Sequence, residues 1–433
     1  MENEEICIAS ERKNMNPRPI PQLRWWIIGL LCLATTINDI DRQAMSVAAP
    51  VITKEFKLSA TDYSGILFWF LLAYAVMQAV AGKLFDRIGT KRGFTLSIIW
   101  WSFANMLTAF GSGVASFSFF RGLLGIGEAG NYPAAMKAIA EWFPKAERSN
   151  AVGILAGPGR GSIIAPPLIA SWLIPTYGWR AAFVVTGALG WLWLFAWQWL
   201  YYKPAEHPKI TAQELALVQA ENVHQRNAQK TPWLQFLRHK EVWGLRLSRF
   251  VCDGVFYFFA FWLPQYLSNV RGFNLKQIGA SAWIPYLAAD LGSIFGGWLG
   301  GYLITRGMSL KASRKWMIWI GAAVVPIARL VNSTQNTYLA LLVVALVMFA
   351  VQIKSSSLFA VPADLFRAQD VATVWGLSGT AGNLGGMLFQ LTVGWLVDHI
   401  SYAPVFVLAR RLPPTSIPNE NLDLRRDHCL IFV

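Results

Sequence analysis

Four ionisable residues lie within long apolar stretches of this sequence: Asp41 and Arg42 in the first stretch, Arg121 and Glu128 in the fourth. A charge at the centre of a bilayer costs about 3 kcal/mol even on the mildest scale, so such residues usually face a protein interior or an aqueous cavity and have a function there. Arg121 and Glu128 are seven positions apart, which places them on one face of a helix, about 10 Å apart along its axis. Two acids and two arginines at membrane depth predict a site that holds an anion and handles a proton.

The composition indicates a polytopic membrane protein. Of the 433 residues, 55% are hydrophobic and only 14% are charged, against about 25% charged residues in a soluble domain. The net charge of +14 could suggest nucleic acid as a partner. The basic residues, however, occur in short clusters between apolar stretches, a pattern typical of loops beside anionic lipid. We therefore expect the lipid bilayer as a partner and no nucleic acid.

Cysteine and histidine usage predicts neither a disulfide nor a metal site. The four cysteines have no paired spacing, and the five histidines fall in loops or at the ends of apolar stretches. Reduced, structural cysteines are the simplest interpretation. The sequence contains no nucleophile–base pair and no nucleotide-binding loop, so an enzyme is the least favoured class. We expect no cofactor, with protons as the coupling ion.

Apolar segments of spanning length, about 20 residues, divide the chain into two halves. Six segments come first, at about 25–48, 63–83, 93–111, 115–140, 150–173 and 180–202. Five more follow a polar linker, at about 247–269, 279–304, 315–333, 337–361 and 373–397. We predict an all-α integral membrane fold made of an N-terminal tail (1–23), a helix bundle (24–202), a linker (203–245), a second bundle (246–409) and an aberrant polar tail (410–433).

Lysine and arginine counts predict the orientation of the chain. The loops after the second, fourth, sixth and eighth segments are rich in basic residues, whereas the odd-numbered loops are poorer. Because basic loops stay on the cytoplasmic side, the N-terminal tail is expected in the cytoplasm of a multi-pass protein of the cell (inner) membrane. We expect the protein to be a monomer.

The last apolar run is too short to span a bilayer. It covers only 402–409, and the polar sequence that follows begins with Arg410 and Arg411 and continues with Pro413 and Pro414. Eight apolar residues cannot cross the hydrocarbon core, and prolines oppose continuation of the helix. We expect the twelfth helix to be truncated or replaced after Ala409.

The loop between the second and third segments resembles the signature loop of the major facilitator superfamily. Its matching residues are Gly82, Asp86, Arg87, Gly89, Lys91 and Arg92. Within that superfamily, this sequence is similar to the anion:cation symporter group at three stretches, 41–42, 121–129 and 141–148. Further stretches are similar to hexuronate transporters, at 165–168, 262–264, 288–292 and 355–366. The resemblance covers roughly 20–409 and implies two six-helix bundles that rock about a central site.

The resemblance also implies roles for individual residues. Asp41 and Glu128 would carry protons, and Arg121 would tune or pair with the second acid. Substrate contacts are implied for Arg42, Tyr74, Gln78 and Asn383, with Arg42 binding a carboxylate through its planar guanidinium. The signature loop would act in gating at the cytoplasmic surface.

These residues predict the import of a small organic anion, most simply a hexuronate or related sugar acid, coupled to protons by alternating access. Asp39, Arg160 and Lys354 depart from the family pattern, and these three residues and the buried acid Asp253 stay without an assigned role. Two alternatives stay open. A transporter-like sensor or a non-functional relic would explain the short last helix, and an exporter of drugs or metabolites would use a wider apolar cavity with fewer arginines.

Overall fold

The computed structural model describes residues 19–155, 160–225, 233–366 and 368–411, and this part of the chain contains helices and their connections but no strand. The first half comprises α1 (Leu23–Glu55), α2 (Ala60–Ile88), α3 (Thr90–Thr108), α4 (Val114–Glu128), α5 (Asn131–Trp142), α6 (Lys145–Leu155), α7 (Arg160–Pro166), a π-helical turn (Pro167–Leu173) and α8 (Ile174–Leu200). The linker contributes a 3-10 turn (Pro204–Glu206), α9 (Ala212–Gln225) and α10 (Trp233–Phe236).

The second half repeats this pattern of long helices. It comprises α11 (Lys240–Asn269), α12 (Leu275–Ser281), α13 (Trp283–Thr305), α14 (Leu310–Val324), a 3-10 turn (Val325–Arg329), α15 (Leu330–Ser333), α16 (Thr337–Leu365), α17 (Ala368–His399) and α18 (Ala403–Arg411). The predicted all-helical architecture is confirmed for the described residues.

Within the described residues, six helical stretches are long and apolar enough to cross a membrane: Leu23–Glu55, Ala60–Ala81, Gly161–Leu200, Lys240–Asn269, Leu275–Thr305 and Thr337–Pro362. The stretch Gly161–Leu200 covers two of the segments expected from the sequence. Gly178 separates them, because its φ of 82° is a left-handed conformation that suits glycine and interrupts the helical geometry. The other segments expected from their apolar length are also helical, with a 3-10 turn (Val325–Arg329) inside the segment 315–333.

Helices of each half pack mainly on one another, and a few helices join the two halves. In the first half α3 packs on α4 and α8, and in the second half α16 packs on α13 and α14. The halves meet where α2 packs on α17 and α1 packs on α11. A small residue allows the close approach of α17 to α2: a side chain at Gly394 would clash with Ser64 and with the backbone carbonyl of Ala60.

The linker is tied to the first half at the end of the molecule where α1 begins. Glu214 of α9 accepts hydrogen bonds from the backbone N–H groups of Leu23 and Arg24, each at 3.0 Å. The Arg24 side chain also pairs with Glu214 at 3.0 Å and with Glu147 of α6 at 2.8 Å. The linker, in which the sequence from Thr211 to Val223 is already helix-like, therefore contains a helix, α9, that caps the start of α1.

The short last helix α18 packs into the second half. Phe406 lies against the rings of Phe258 and Tyr266, with centroids 5.4 Å apart in both pairs. The predicted truncation concerns mainly 412–433, which lie outside the described residues, as does the N-terminal stretch 1–18. The truncated helix and the domain boundaries therefore stay predictions.

Candidate functional site

An ion pair between α1 and α4 forms the centre of the candidate site. Arg42 donates from Nε and Nη2 to Oε2 of Glu128, at 2.9 and 2.8 Å. Glu128 is completely buried, whereas the Arg42 side chain keeps 17% of its surface exposed. The Arg42 guanidinium lies 5.5 Å from the ring of Phe70 and 4.9 Å from that of Tyr74. Arg42 is thus held on three sides while part of it stays accessible.

Arg121 occupies the same helix as Glu128 but makes different contacts. Its Nη2 donates to the backbone carbonyl of Arg42 at 3.1 Å, and its Nη1 to that of Asp41 at 3.4 Å. The sequence interpretation allowed Arg121 to pair with the second acid. In the structure Arg42 is the residue paired with Glu128, and Arg121 fixes the α1 backbone beside them.

Asp41 lies in a buried polar cluster that also includes α3 and α8. Its Oδ1 accepts a 2.7 Å hydrogen bond from Asn105 Nδ2, which also donates to Thr186 Oγ1 at 2.8 Å. Asp41 Oδ2 and Glu128 Oε1 are buried without a hydrogen-bond partner among the described residues. A buried carboxyl oxygen without a donor is costly when charged, because no protein group replaces the water that it loses.

Sequence reasoning missed Asn105 and Thr186. Both lie in apolar segments, where a polar side chain needs a hydrogen-bonding partner. That signal was available for Asn105 in the third segment, but only the tertiary structure, in which α8 packs on both α1 and α3, identifies Asp41 as its partner.

Polar side chains of both halves meet between α2 and α17. Asn383 Nδ2 donates to Gln78 Oε1 at 2.9 Å, and Asn383 Oδ1 accepts from the Tyr257 hydroxyl at 2.5 Å. Tyr74 lies one turn before Gln78 on α2 and is buried. The structure therefore brings together the three residues implied as substrate contacts beside Arg42, and it adds Tyr257 of α11.

The signature loop between α2 and α3 is followed by a contact with α8. Gly89 joins α2 to α3 with a φ of 83°, a conformation that favours glycine. Lys91 donates from Nζ to the carbonyl of Gln198 on α8 at 2.9 Å, and Arg87 is solvent-exposed. The side chain of Asp86 is not among those that the structure describes, so a gating role for this loop stays a prediction.

No three His, Cys, Asp or Glu side chains in the described ranges are grouped so that they could hold a metal ion. The candidate site is instead a chain of arginines, carboxyl groups and neutral polar side chains between two helical halves. Such a chain can bind an anion and exchange protons.

Comparison with known proteins identifies the family. A model of the Major Facilitator Superfamily matches residues 31–390. The chain belongs to this superfamily. It is 37% identical to the hexuronate transporter of Escherichia coli (strain K12) over 397 residues, which cover 90% of this chain and 91% of that protein. It is 36% identical to the galacturonate transporter of Dickeya chrysanthemi over 309 residues, which cover 70% of this chain and 89% of that protein.

A solved structure supports the fold of this superfamily member. A bacterial homologue of the human lysosomal transporter Spinster superposes with a TM-score of 0.69 at 22% sequence identity, covering 87% of this chain and 83% of the other. The multi-pass membrane architecture and the superfamily predicted from the signature loop are confirmed.

Proposed function

We propose that this superfamily member imports a hexuronate or related sugar acid together with protons across the cell membrane, by alternating access, with its N-terminal tail in the cytoplasm. The observation that carries the proposal is the hydrogen-bonded pair of Arg42 and Glu128. A planar guanidinium is suited to a carboxylate, and here one is already bound to a carboxylate of the protein. The transporters of hexuronate and galacturonate among its relatives support the substrate class.

The ion pair supplies a coupling between proton and anion. An ionised Glu128 occupies the Nε and Nη2 edge of Arg42, so it competes with a substrate carboxylate. A proton on Glu128 weakens this ion pair and frees the guanidinium for the substrate. Proton binding and anion binding therefore favour each other, which is the thermodynamic requirement of symport.

Contacts between the halves at the end formed by the α1–α2 connection support alternating access. Ser46 donates to the carbonyls of Ala260 and Phe261, each at 3.0 Å, and the Tyr63 hydroxyl donates to the Phe261 carbonyl at 2.9 Å. Both donors belong to the first half and both acceptors to the second. We assign this end to the outer face of the membrane, where these bonds would break when the site opens outward.

The test is uptake of labelled glucuronate and galacturonate by membrane vesicles that contain the protein, with and without an inward proton gradient. We expect the gradient to drive accumulation by the wild type. Glu128→Gln should transport at a rate independent of pH, because the glutamine cannot take up the proton, and it should lose gradient-driven accumulation.

Two results would contradict the proposal. An unchanged pH profile in Glu128→Gln would refute the coupling role of this acid. If the wild type in sealed vesicles took up neither glucuronate nor galacturonate, the result would favour the sensor or relic alternative.

A further inference from the structure

A second arginine faces the boundary between the two halves from α11. Arg249 is 8% exposed, and it donates from Nε and Nη2 to Oδ2 of Asp253, at 3.0 and 2.9 Å. The two residues are one turn apart on the same helix, so their ion pair does not join two helices. Its structural effect is to orient the Arg249 guanidinium.

The rest of the guanidinium is held by aromatic rings and leaves one edge unpaired. Its carbon lies 4.9 Å from the ring centroid of Phe359 and 5.1 Å from that of Trp375. Nη1 is buried and has no hydrogen-bond partner among the described residues. Buried donors almost always have a partner, so an unpaired N–H edge on a fixed arginine indicates that a ligand supplies the acceptor.

The unpaired edge faces the cluster that contains the proposed substrate contacts. Nη1 of Arg249 and Oε1 of Gln78 each lie 3.4 Å from the point where a side chain at Gly379 would begin. Glycine at this position therefore leaves a space that both atoms line. On α2, Gln78 is about 6 Å along the helix axis from Tyr74, whose ring contacts Arg42 at 4.9 Å.

Lys354 adds a positive charge to this side of the cluster. It is 9% exposed, and its Nζ lies 2.8 Å from Sγ of Cys252 on α11, between Arg249 and Asp253 in sequence. Lys354 interacts electrostatically with the carboxylate of Asp253, which already forms an ion pair with Arg249. Arg249, Asp253 and Lys354 together carry one net positive charge at membrane depth. A buried net charge is costly, and an anionic ligand group would compensate it.

We propose that Arg249, oriented by Asp253 and assisted by Lys354, binds a second carboxylate of the substrate. The transport site would then accept dicarboxylic sugar acids, which carry a carboxylate at both ends of a hydroxylated chain. One carboxylate binds Arg42, the hydroxyl groups face Tyr74, Gln78 and Asn383, and the other carboxylate binds Arg249. This inference rests on the proposed function, because Arg42 supplies the first contact.

The experiment measures binding of galactarate and of glucuronate to the purified full-length protein by titration calorimetry. Galactarate has a carboxylate at both ends, whereas glucuronate has one. We expect Arg249→Gln and Lys354→Gln each to weaken galactarate binding at least tenfold and glucuronate binding by less than threefold. Lys354→Gln leaves the Arg249–Asp253 ion pair intact, so this variant provides the test if Arg249→Gln does not fold. Arg180→Gln is the matched control, because Arg180 pairs with Glu55 at the surface.

Each outcome separates this inference from the proposed function. Selective loss of galactarate binding in either variant supports the second carboxylate site. A wild type that binds glucuronate but not galactarate overturns the site and leaves the proposed function standing. Equal weakening of galactarate and glucuronate binding in Lys354→Gln also overturns the second carboxylate site. A wild type that binds neither acid refutes the proposed function itself.

Discussion

At the scale of single residues, the Arg42 side chain is both held in place and partly exposed. It is fixed by a carboxylate and two rings, yet part of its side chain is exposed. Fixing the guanidinium in advance reduces the entropy lost on binding. Arg121, by contrast, is completely buried and hydrogen-bonded to backbone carbonyls. We therefore propose Arg42 as the arginine that binds the anion and Arg121 as a structural one.

Arg42→Ala should abolish uptake of glucuronate, because the substrate carboxylate loses its charged partner. A hydrogen bond to a charged group contributes about 1.5–3 kcal/mol, so binding should weaken by roughly 10- to 100-fold for each bond lost. Glucuronate uptake and calorimetric binding provide the measurement. Arg180→Ala, at an exposed ion pair, is the control and should transport normally. Retained uptake by Arg42→Ala would exclude Arg42 as the anion contact.

At the scale of helices, a carboxylate of one half caps a helix of the other. Asp398, near the end of α17, accepts hydrogen bonds from the backbone N–H groups of Ala60 at 2.8 Å and Thr61 at 2.7 Å. These are the first residues of α2, whose N–H groups have no partner within the helix. The cap therefore stabilises α2 only while the two halves are closed at this end.

Asp398→Asn should weaken this closing contact, because the neutral amide is a poorer acceptor and interacts less with the helix dipole. We expect severalfold faster hydrogen exchange in both the first turn of α2 and the last turn of α17. The measurement is exchange mass spectrometry on the full-length protein. Asp62→Asn is the matched control: Asp62 accepts from Ser59 within the same turn, so its loss should accelerate exchange in α2 alone. If Asp398→Asn left hydrogen exchange in the last turn of α17 unchanged, this would exclude a role of Asp398 in holding the two halves together.

At the scale of the whole molecule, the two halves enclose the polar cluster and are closed at the α1–α2 end. The contacts of Ser46, Tyr63 and Asp398 all cross between halves there. Transport by alternating access requires these contacts to separate in each cycle. A covalent bond across them would stop the cycle without altering Arg42 or Glu128.

The double variant Thr61→Cys, Asp398→Cys should lose uptake when an oxidant joins the two cysteines and regain it on reduction. The backbone N–H of Thr61 lies 2.7 Å from the Asp398 carboxylate, so the positions are close. Vesicle uptake before and after oxidation provides the measurement, and each single variant treated alike controls for the native cysteines. Full uptake by the cross-linked protein would contradict separation of the halves at this end.

Local patterns in the sequence determined the helices, the superfamily and the identity of the buried charges. Apolar length identifies a membrane segment by itself, and the seven-residue spacing of Arg121 and Glu128 places them on one helix without knowledge of any neighbour. Arg249 and Asp253 are four positions apart and therefore neighbours on one helix, but the sequence patterns assigned no role to either residue.

Only the tertiary structure decided which charges pair and which face the ligand. Arg121 and Glu128 share a face but lie about two turns apart, and in the structure the long side chain of Arg42 reaches from α1 to Glu128 on α4 instead. Asn105 reaches Asp41, and the rings of Phe359 and Trp375 reach Arg249, through contacts between residues far apart in sequence. The physical reason is that a helix fixes only the relations within it, whereas a binding site is set by how separate helices pack.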